Sequence, residues 1–211
     1  MEGPRVPRLT AKGQATRERI VAAAAGLMVS GGVMATTIDD VQTAAGVSAS
    51  QLYHYFGDKR ALVAAVIVHQ TEAVVGGQEP LFAALDTLEA LRQWGDLIIE
   101  LQRSRNCAGG CPLATLAGEL AESDEAARAG LRVAFARWAA GIAGGLRRMQ
   151  DRGELPGGAD PDRLAVAVLA ALQGGLLLAQ VERATEPLEI ALETVIDHIA
   201  SLSAGARRCR S

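Results

Sequence analysis

The apolar residues of this chain recur with the spacing of α-helices along most of its length. The first helix is predicted from Thr16, with one apolar face formed by Ile20, Ala24, Leu27 and Met28, and it ends at Gly31-Gly32. Further helices are predicted over residues 37–45, 49–56, 58–76, 82–105, 112–121, 124–152, 160–183 and 187–203. No segment competes as a strand by alternating polar and apolar positions. The pattern therefore predicts an all-α fold.

Two of the predicted helices are short, adjacent and marked by capping signals. Thr37 is followed three residues later by Asp40, and Ser48 by Gln51, which is the spacing of a capping box at a helix start. Gly46 lies between the two helices and suits the left-handed conformation that ends a helix. Two short helices joined by a tight turn with glycine are typical of a helix-turn-helix.

The segment from Thr36 to Lys59 resembles the DNA-binding domain of the TetR family of bacterial regulators. The features that carry the resemblance, at fixed spacing, are the Thr36-Thr37 pair, Ala45-Gly46-Val47-Ser48 at the turn, Leu52-Tyr53-x-x-Phe56, and Lys59. It covers about residues 14–60, and beyond them only the architecture is similar. The resemblance implies a DNA-binding domain over residues 16–60 and a ligand-binding and dimerisation domain over residues 61–205. Residues 1–15 lack periodicity and are predicted to be a flexible arm.

The residue types of the second short helix suit contact with DNA. Ala49 and Ser50 are small and allow close approach to the major groove. The side chains of Ser48, Ser50 and Gln51 are able to hydrogen-bond to base edges. Contacts with phosphates are expected from Tyr53, His54, Tyr55 and Lys59. The resemblance assigns phosphate or base contacts to Thr37, Tyr53, His54, Tyr55 and Lys59. As alternatives, Ser48 and Gln51 cap their helix, and Leu52 and Phe56 form a core pair.

The charge distribution supports DNA binding only weakly. The chain of 211 residues has a net charge of −3, which taken alone argues against a nucleic-acid partner. Residues 1–60 carry +2 and residues 61–211 carry −5, so the N-terminal part is the more basic one. Additional positive charge is expected from Arg17, Arg19, and an arm that holds Arg5, Arg8 and Lys12.

The two last helices are predicted to form a homodimer. Apolar residues at alternating spacings of four and three form a seam at Leu188, Leu192, Val195, Ile199 and Leu202. Small residues four apart, Ala170/Gly174 and Ala171/Gly175, allow a second helix to approach closely. We expect the helices over 160–183 and 187–203 to pack with their twofold mates, as the resemblance also implies, and to place two recognition helices on a palindromic operator. In the alternative, both stripes are intramolecular core.

The middle helices are expected to hold a pocket for a small apolar inducer that releases a repressor from its operator. Its candidate lining residues are Phe82, Trp94, Ile98, Leu101, Phe135 and Trp138. Each of them is equally consistent with plain core. His69 is a candidate link between the pocket and the DNA-binding unit, with a surface or core histidine as the alternative.

Cys107 and Cys111 are the remaining local feature. A zinc site needs two further ligands, which no nearby Cys or His supplies, so no metal or other cofactor is expected. The alternative function is a redox-sensing regulator switched through Cys107 and Cys111, and inert thiols are the simpler interpretation. An enzyme in a helical bundle would need an acid/base or metal constellation, and three scattered histidines do not form one.

The sequence also bears on the compartment. The stretch Leu164–Val181 has 18 residues without a charge, which reaches the lower limit for a membrane span. Its two glutamines and the Gly174-Gly175 pair favour a helix buried in protein instead. The first residues include no apolar signal-peptide core, and three cysteines are too few for a disulfide framework. We therefore expect a cytoplasmic protein with no membrane partner.

Overall fold

The structure is a computed structural model that describes the backbone of residues 9–208 and the side chains of residues 9–202. Within that part of the chain all regular structure is helical, which confirms the all-α fold. The N-terminal helices are α1 (Ala11–Gly31), α2 (Ile38–Ala45), α3 (Ala49–Phe56) and α4 (Lys59–Val74). A 3₁₀ turn (Gly76–Gln78) leads into α5 (Glu79–Ala84), α6 (Leu88–Ser104), α7 (Pro112–Leu120), α8 (Glu125–Asp151), α9 (Pro161–Glu182) and α10 (Glu186–Arg208).

Helix α1 begins five residues earlier than its apolar pattern predicts. Thr10 caps the helix by accepting a hydrogen bond from the amide of Gly13 at 3.2 Å. The first turn is largely exposed and contains no large apolar residue, so periodicity does not detect it. The predicted flexible arm over residues 1–15 is therefore wrong for residues 11–15, which belong to α1.

The single helix predicted over residues 82–105 is two helices. Leu85 leaves the helical conformation at ψ 80°, and Thr87 caps α6 by accepting from the amide of Ala90 at 3.0 Å. The chain turns here because Leu85 is fully buried and packs under α8. The prediction missed a threonine in the position of an N-cap.

Helix α8 is the longest helix and lies at the centre of the C-terminal part. It packs against α4, α5, α7 and α9, and α9 packs extensively along α10. Helices α9 and α10 approach each other closely because Gly175 has no side chain. A Cβ at this position would lie 2.8 Å from the Cα of Leu188. Of the two predicted small-residue pairs, Ala171/Gly175 thus serves packing within the protomer.

The seam predicted for dimer contacts on α10 is core of the protomer. Leu188, Leu192 and Ile199 are buried, and Val195 and Leu202 are half-buried against the same core. They face α9 and α6, where Leu192 would contact a Cβ at Gly95 at 3.6 Å. The prediction that this stripe faces a second copy is wrong, since periodicity reveals an apolar face but not its partner.

Helix α9 is apolar on two faces, of which one is buried. Its length and composition are sufficient to cross a membrane, and 44% of its most apolar window is buried within the protomer. Leu164, Val168, Leu172 and Leu176 face α8 and α10. The opposite face is exposed and includes Val166, Leu177, Leu178 and Val181. The predicted burial in protein is therefore met on one face within the protomer, and the other face remains exposed there.

Candidate DNA interface and ligand cavity

The turn between α2 and α3 has the conformation that its sequence predicts. Gly46 adopts φ 63° and ψ 45°, the left-handed region, and its amide donates to the carbonyl of Thr43. The amide of Val47 returns to the carbonyl of Gln42 at 3.1 Å. Both hydrogen bonds satisfy carbonyls at the end of α2, so α3 starts two residues after the turn in a defined direction.

Helix α3 has one buried face and one polar face. Leu52 and Phe56 are fully or nearly fully buried, which confirms that they belong to the core. The predicted DNA contacts Ser48, Ser50, Gln51 and His54 are exposed, and Tyr53 has 51% of its surface exposed. These groups therefore project from the side of α3 that faces away from α1 and α4, and they include donors and acceptors suited to base edges.

Capping already uses three of the predicted contact residues in this structure. The hydroxyl of Ser48 accepts from the backbone amide of Gln51 at 3.2 Å, and the side-chain oxygen Oε1 of Gln51 accepts from the backbone amide of Ser48 at 3.0 Å. Thr37 forms the same box with Asp40 and also donates its hydroxyl to that carboxylate at 2.6 Å. These hydrogen bonds from Thr37 lower the pKa of Asp40. Both predicted capping boxes are confirmed.

Tyr55 and Lys59 occupy less open positions. The Tyr55 ring is half-buried, meets the ring of His54 edge-on at 5.2 Å, and its hydroxyl would lie 3.5 Å from a Cβ at Gly13. Tyr55 therefore packs α3 against the start of α1. Lys59 is half-buried at the first position of α4, where Asp58 caps the helix through the amide of Ala61 at 2.8 Å.

The cations of the N-terminal helices form no ion pairs within the described residues. No salt bridge joins residues 9–60 to another residue that the structure describes, whereas six arginines of the C-terminal helices are paired with carboxylates: Arg92, Arg103, Arg128, Arg137, Arg147 and Arg152. Arg19 donates to the carbonyl of Ala45 at 2.9 Å, and Arg17 lies 5.2 Å above the Phe56 ring. Both keep their full charge near α3. Arg5 and Arg8 of the predicted arm lie outside the described residues.

A cavity of about 430 Å³ lies among α4, α6, α8, α9 and the loop before α7. This volume is within the usual range of small-molecule sites. Of the predicted lining residues, Ile98, Leu101 and Trp138 contribute to its wall. Phe82 and Trp94 are buried beside each other with ring centroids 6.4 Å apart, and Phe135 is half-buried away from the cavity. Placing these last three in the pocket was wrong, because an apolar aromatic suits a core equally well.

Sequence reasoning missed most of the polar wall. Gln70, Gln102, Arg105 and Cys111 line the cavity together with apolar residues of α6 and α9. They come from separate helices and a loop, so no local spacing connects them. A larger depression of about 890 Å³ between α6 and α10 has walls rich in Arg and Glu, among them the Arg103–Glu189 ion pair at 2.9 Å. Its charges are largely satisfied, which makes it a poorer site for an apolar ligand.

The two cysteines of the loop are buried and free of disulfide bonds. Burial raises the pKa of the Cys111 thiol, although Cys111 lies at the N-terminus of α7. A protonated thiol reacts slowly, so this environment does not favour the thiol switch considered for Cys107 and Cys111. No group of three metal-ligating side chains occurs in the described part of the chain.

Two elements connect the cavity to the helix-turn-helix. Helix α4 begins at Lys59, directly after α3, and contributes Gln70 and Val74 to the cavity wall. Helix α7 begins at the cavity and, near its other end, Glu119 accepts a hydrogen bond from the amide of Val33 at 2.8 Å. Val33 lies in the turn between α1 and α2. His69 is exposed and does not line the cavity, so its predicted linking role finds no support in its position.

Comparison with known families matches both parts of the chain. The family described as "Bacterial regulatory proteins, tetR family" matches residues 20–66, and the family described as "Transcriptional regulator LmrA/YxaF-like, C-terminal domain" matches residues 87–194.

Individual proteins match over most of their lengths. The uncharacterized HTH-type transcriptional regulator Rv0196 of Mycobacterium tuberculosis is 32% identical over 181 residues, which cover 84% of this chain and 90% of that protein. The transcriptional regulator AcuR of Cereibacter sphaeroides is 28% identical over 172 residues, covering 81% and 78%. Among solved structures, the regulatory protein TetR from Rhodobacter sphaeroides superposes with a TM-score of 0.76 at 25% identity, covering 87% of this chain and 98% of that one.

A TetR transcriptional regulator from Chloroflexus aurantiacus superposes with a TM-score of 0.74 at 28% identity, covering 90% of this chain and 96% of that one. Regulators of this family bind operator DNA as dimers, respond to small molecules and are not enzymes. The helix-turn-helix, the helical C-terminal part and these matches agree: the chain belongs to the TetR family of transcriptional regulators.

Proposed function

We propose that this protein is a homodimeric repressor that leaves a palindromic operator when a small molecule with an apolar body binds its cavity. One observation carries the proposal: the polar face of α3 is exposed, and the cations around it form no ion pairs with other described residues. Unpaired cations beside exposed donors and acceptors are what a phosphate backbone and base edges require. The net charge of −3 is concentrated beyond residue 60 and does not oppose DNA at this surface.

We assign base edges to Ser50 and, on release from its cap, Gln51. Ser48 is a base-edge candidate like Ser50 and Gln51, although its hydroxyl caps α3 in this structure. Phosphate contacts are assigned to Tyr53, His54, Tyr55 and Lys59, and a phosphate or base contact to Thr37. The assignment to Tyr53 is the strongest because this residue is 51% exposed, and half-buried Lys59 has no ion pair to another described residue. Tyr55 contributes with its hydroxyl while its ring holds α3 against α1.

The exposed face of α9 supports a dimer interface different from the seam first predicted. Its large apolar side chains Val166, Leu177, Leu178 and Val181 are all more than half exposed. Gly174 lies among them with no heavy atom within 4 Å of its Cβ position, so a second helix can approach there. An exposed apolar strip of this extent marks an interface. With Ile190 of α10 at its edge, this face packs against its twofold mate to form a four-helix bundle.

The dimer is tested by placing a charge on that strip. Leu177→Glu should give a monomer in analytical ultracentrifugation, because a carboxylate would be buried without a partner. Val133→Glu is the matched control, since Val133 is 65% exposed on α8 and Leu177 is 61% exposed on α9. Dimers of Leu177→Glu at the concentration where wild type is dimeric would refute this interface.

Ligand release follows as a shift between two populations of the dimer. The cavity borders α4, which leads into α3, and α7, which holds the turn before α2 through Glu119. In one conformation of the dimer, the spacing of the two recognition helices does not match the operator. A ligand that binds this conformation more tightly than the DNA-binding one lowers operator affinity, by as much as its affinities for the two conformations differ. Since its target is DNA, we place the protein in the cytoplasm.

Fluorescence anisotropy with the intergenic DNA beside the protein's own gene tests operator binding. Tyr53→Ala should weaken specific binding by about 1–3 kcal/mol, or roughly 5- to 150-fold, with the fold unchanged because Tyr53 is exposed. Lys59→Ala should weaken binding at all sequences and reduce the salt dependence by about one counterion. Arg132→Ala is the matched control, because Arg132 is an exposed arginine on α8 without an ion pair to the described residues.

Two results would contradict the proposal. Binding with steep salt dependence but no preference for one sequence would exclude an operator-specific repressor. Unfolding of Tyr53→Ala would show that Tyr53 serves the core and does not contact DNA.

A further inference from the structure

The cavity has an apolar rim and a polar, nearly buried wall. Leu81, Leu97 and Leu101 border it and are more than a third exposed, so an apolar ligand body would cover them. Trp138 lines the opposite side from α8, and its indole N–H is buried without a hydrogen-bond partner. The rim and Trp138 together suit an apolar or aromatic body of modest size.

Gln102 supplies the buried polar group of the wall. The residue is only 5% exposed, and its side-chain amide forms no hydrogen bond with any described residue. Its backbone carbonyl, by contrast, accepts from the amides of Arg105 and Cys107. Buried amides are nearly always hydrogen-bonded, and this one borders the cavity, so it is available to a polar atom of a ligand.

The charges around the cavity have one sign. Arg105 is the ionic residue of its wall; neither Asp nor Glu lines it. The guanidinium of Arg105 has no ion pair or hydrogen bond to the described residues, whereas Arg103 nearby is held by Glu100 at 2.6 Å and Glu189 at 2.9 Å. The N-terminus of α7, at Pro112, borders the same space and adds the positive end of a helix dipole.

We propose that the ligand is an organic anion, a carboxylate with an apolar body, whose head group is bound by Arg105 and Gln102. The apolar body lies against Leu97, Leu101 and Trp138. A guanidinium binds a carboxylate through charge-assisted hydrogen bonds, and the amide of Gln102 donates to a second oxygen. This inference rests on the proposed function of a ligand-responsive regulator and specifies the class of molecule that it senses.

Matched acids and neutral analogues test the head group in the full-length protein without DNA. Octanoate, 1-octanol and octanamide, and likewise 3-phenylpropionate and its amide, are titrated by isothermal calorimetry. At least one acid should bind about tenfold or more tightly than its neutral partner. Arg105→Gln should abolish that preference by weakening the acid much more than its neutral partner, because only the acid loses a charge-assisted hydrogen bond. Arg132→Gln, which removes an exposed arginine far from the cavity wall, should change neither affinity.

Gln102→Leu gives a second measure, since it keeps the bulk of the side chain and removes the amide. This substitution should lower the affinity for the acid several-fold. A cooperative denaturation transition confirms that the variant is folded. Neutral analogues that bind as tightly as the acids, or an acid preference that survives Arg105→Gln, would overturn the proposal. So would the absence of saturable binding of either acid at millimolar concentration. Failure of the repressor function is measured separately, as loss of sequence-specific DNA binding by the ligand-free protein.

Discussion

Adjacent glycines in α8 provide a sharp test of the packing described above. Gly144 and Gly145 occupy successive positions in the middle of the same helix, so an alanine at either site gains about 1 kcal/mol of helix propensity. A Cβ at Gly144 would meet only the guanidinium of Arg148, at 3.6 Å. A Cβ at Gly145 would lie 2.5 Å from the carbonyl oxygen of Leu85 and would also collide with the Leu85 side chain.

The magnitude follows from how far Leu85 can move. Restoring an ordinary contact of 3.4 Å requires a shift of about 0.9 Å by a backbone carbonyl. That carbonyl is also 3.4 Å from Arg148, which donates to the neighbouring carbonyl of Phe82 as well, and the Leu85 side chain is buried. Overpacking of this kind costs about 1–3 kcal/mol or more. After the gain in helix propensity is subtracted, Gly145→Ala is expected to lose up to about 2 kcal/mol, whereas Gly144→Ala is expected to gain up to about 1 kcal/mol.

Urea denaturation followed by circular dichroism measures both free energies of unfolding. The variants are compared at one protomer concentration, because dimerisation contributes to apparent stability. In a thermal scan each kcal/mol should shift the midpoint by about 2–4 °C for a chain of this size. Equal stabilities of the two variants would refute the close packing of α8 on the segment between α5 and α6.

The remaining predictions concern the helix-turn-helix and its anchor. Gly46→Ala should destabilise by about 1–2 kcal/mol in urea denaturation, since it forces alanine to φ 63° with no new contact. The lowered pKa of Asp40 means that its bonds to Thr37 stabilise the fold fully above its ordinary value of 3.8 and are lost as pH falls through the lower folded pKa. The wild type should therefore lose stability relative to Asp40→Asn below about pH 4. Glu119→Ala should cost about 1–3 kcal/mol by leaving the amide of Val33 without an acceptor, and Glu119→Gln should restore most of it; equal losses in both variants would contradict that role.

Helix boundaries in the DNA-binding part followed from short-range chemistry. Thr37 and Ser48 cap the helices that their spacing to Asp40 and Gln51 predicted, and Gly46 ends α2 in the left-handed region. Each of these features depends on hydrogen bonds within three or four residues, so the sequence contains all the information. The start of α1 at Ala11 was not predicted, because the first turn of the helix contains no large apolar residue.

The cavity required the tertiary structure. Among predicted lining residues, Trp138 and Trp94 are both buried tryptophans, yet Trp138 lines the cavity and Trp94 does not. The indole N–H of Trp94 instead donates to the side chain of Gln78 at 2.9 Å. Gln102 and Arg105 are proposed as head-group ligands only because no other described residue pairs with the Gln102 amide or the Arg105 guanidinium. Whether a polar side chain has a hydrogen-bond partner depends on the residues packed around it. Those residues come from other parts of the chain, so the local sequence does not predict it.

The sequence by itself determined the helical class, the helix-turn-helix and the polar residues presented by α3, because helix periodicity and capping act over a few residues. Only the tertiary structure decided which apolar faces remain free. Leu188 and Leu192 pack inside the protomer, while Leu177 and Val181, equally apolar, stay exposed on the other side of α9. The burial of a side chain depends on what packs against it, and helices far apart in the chain supply those contacts.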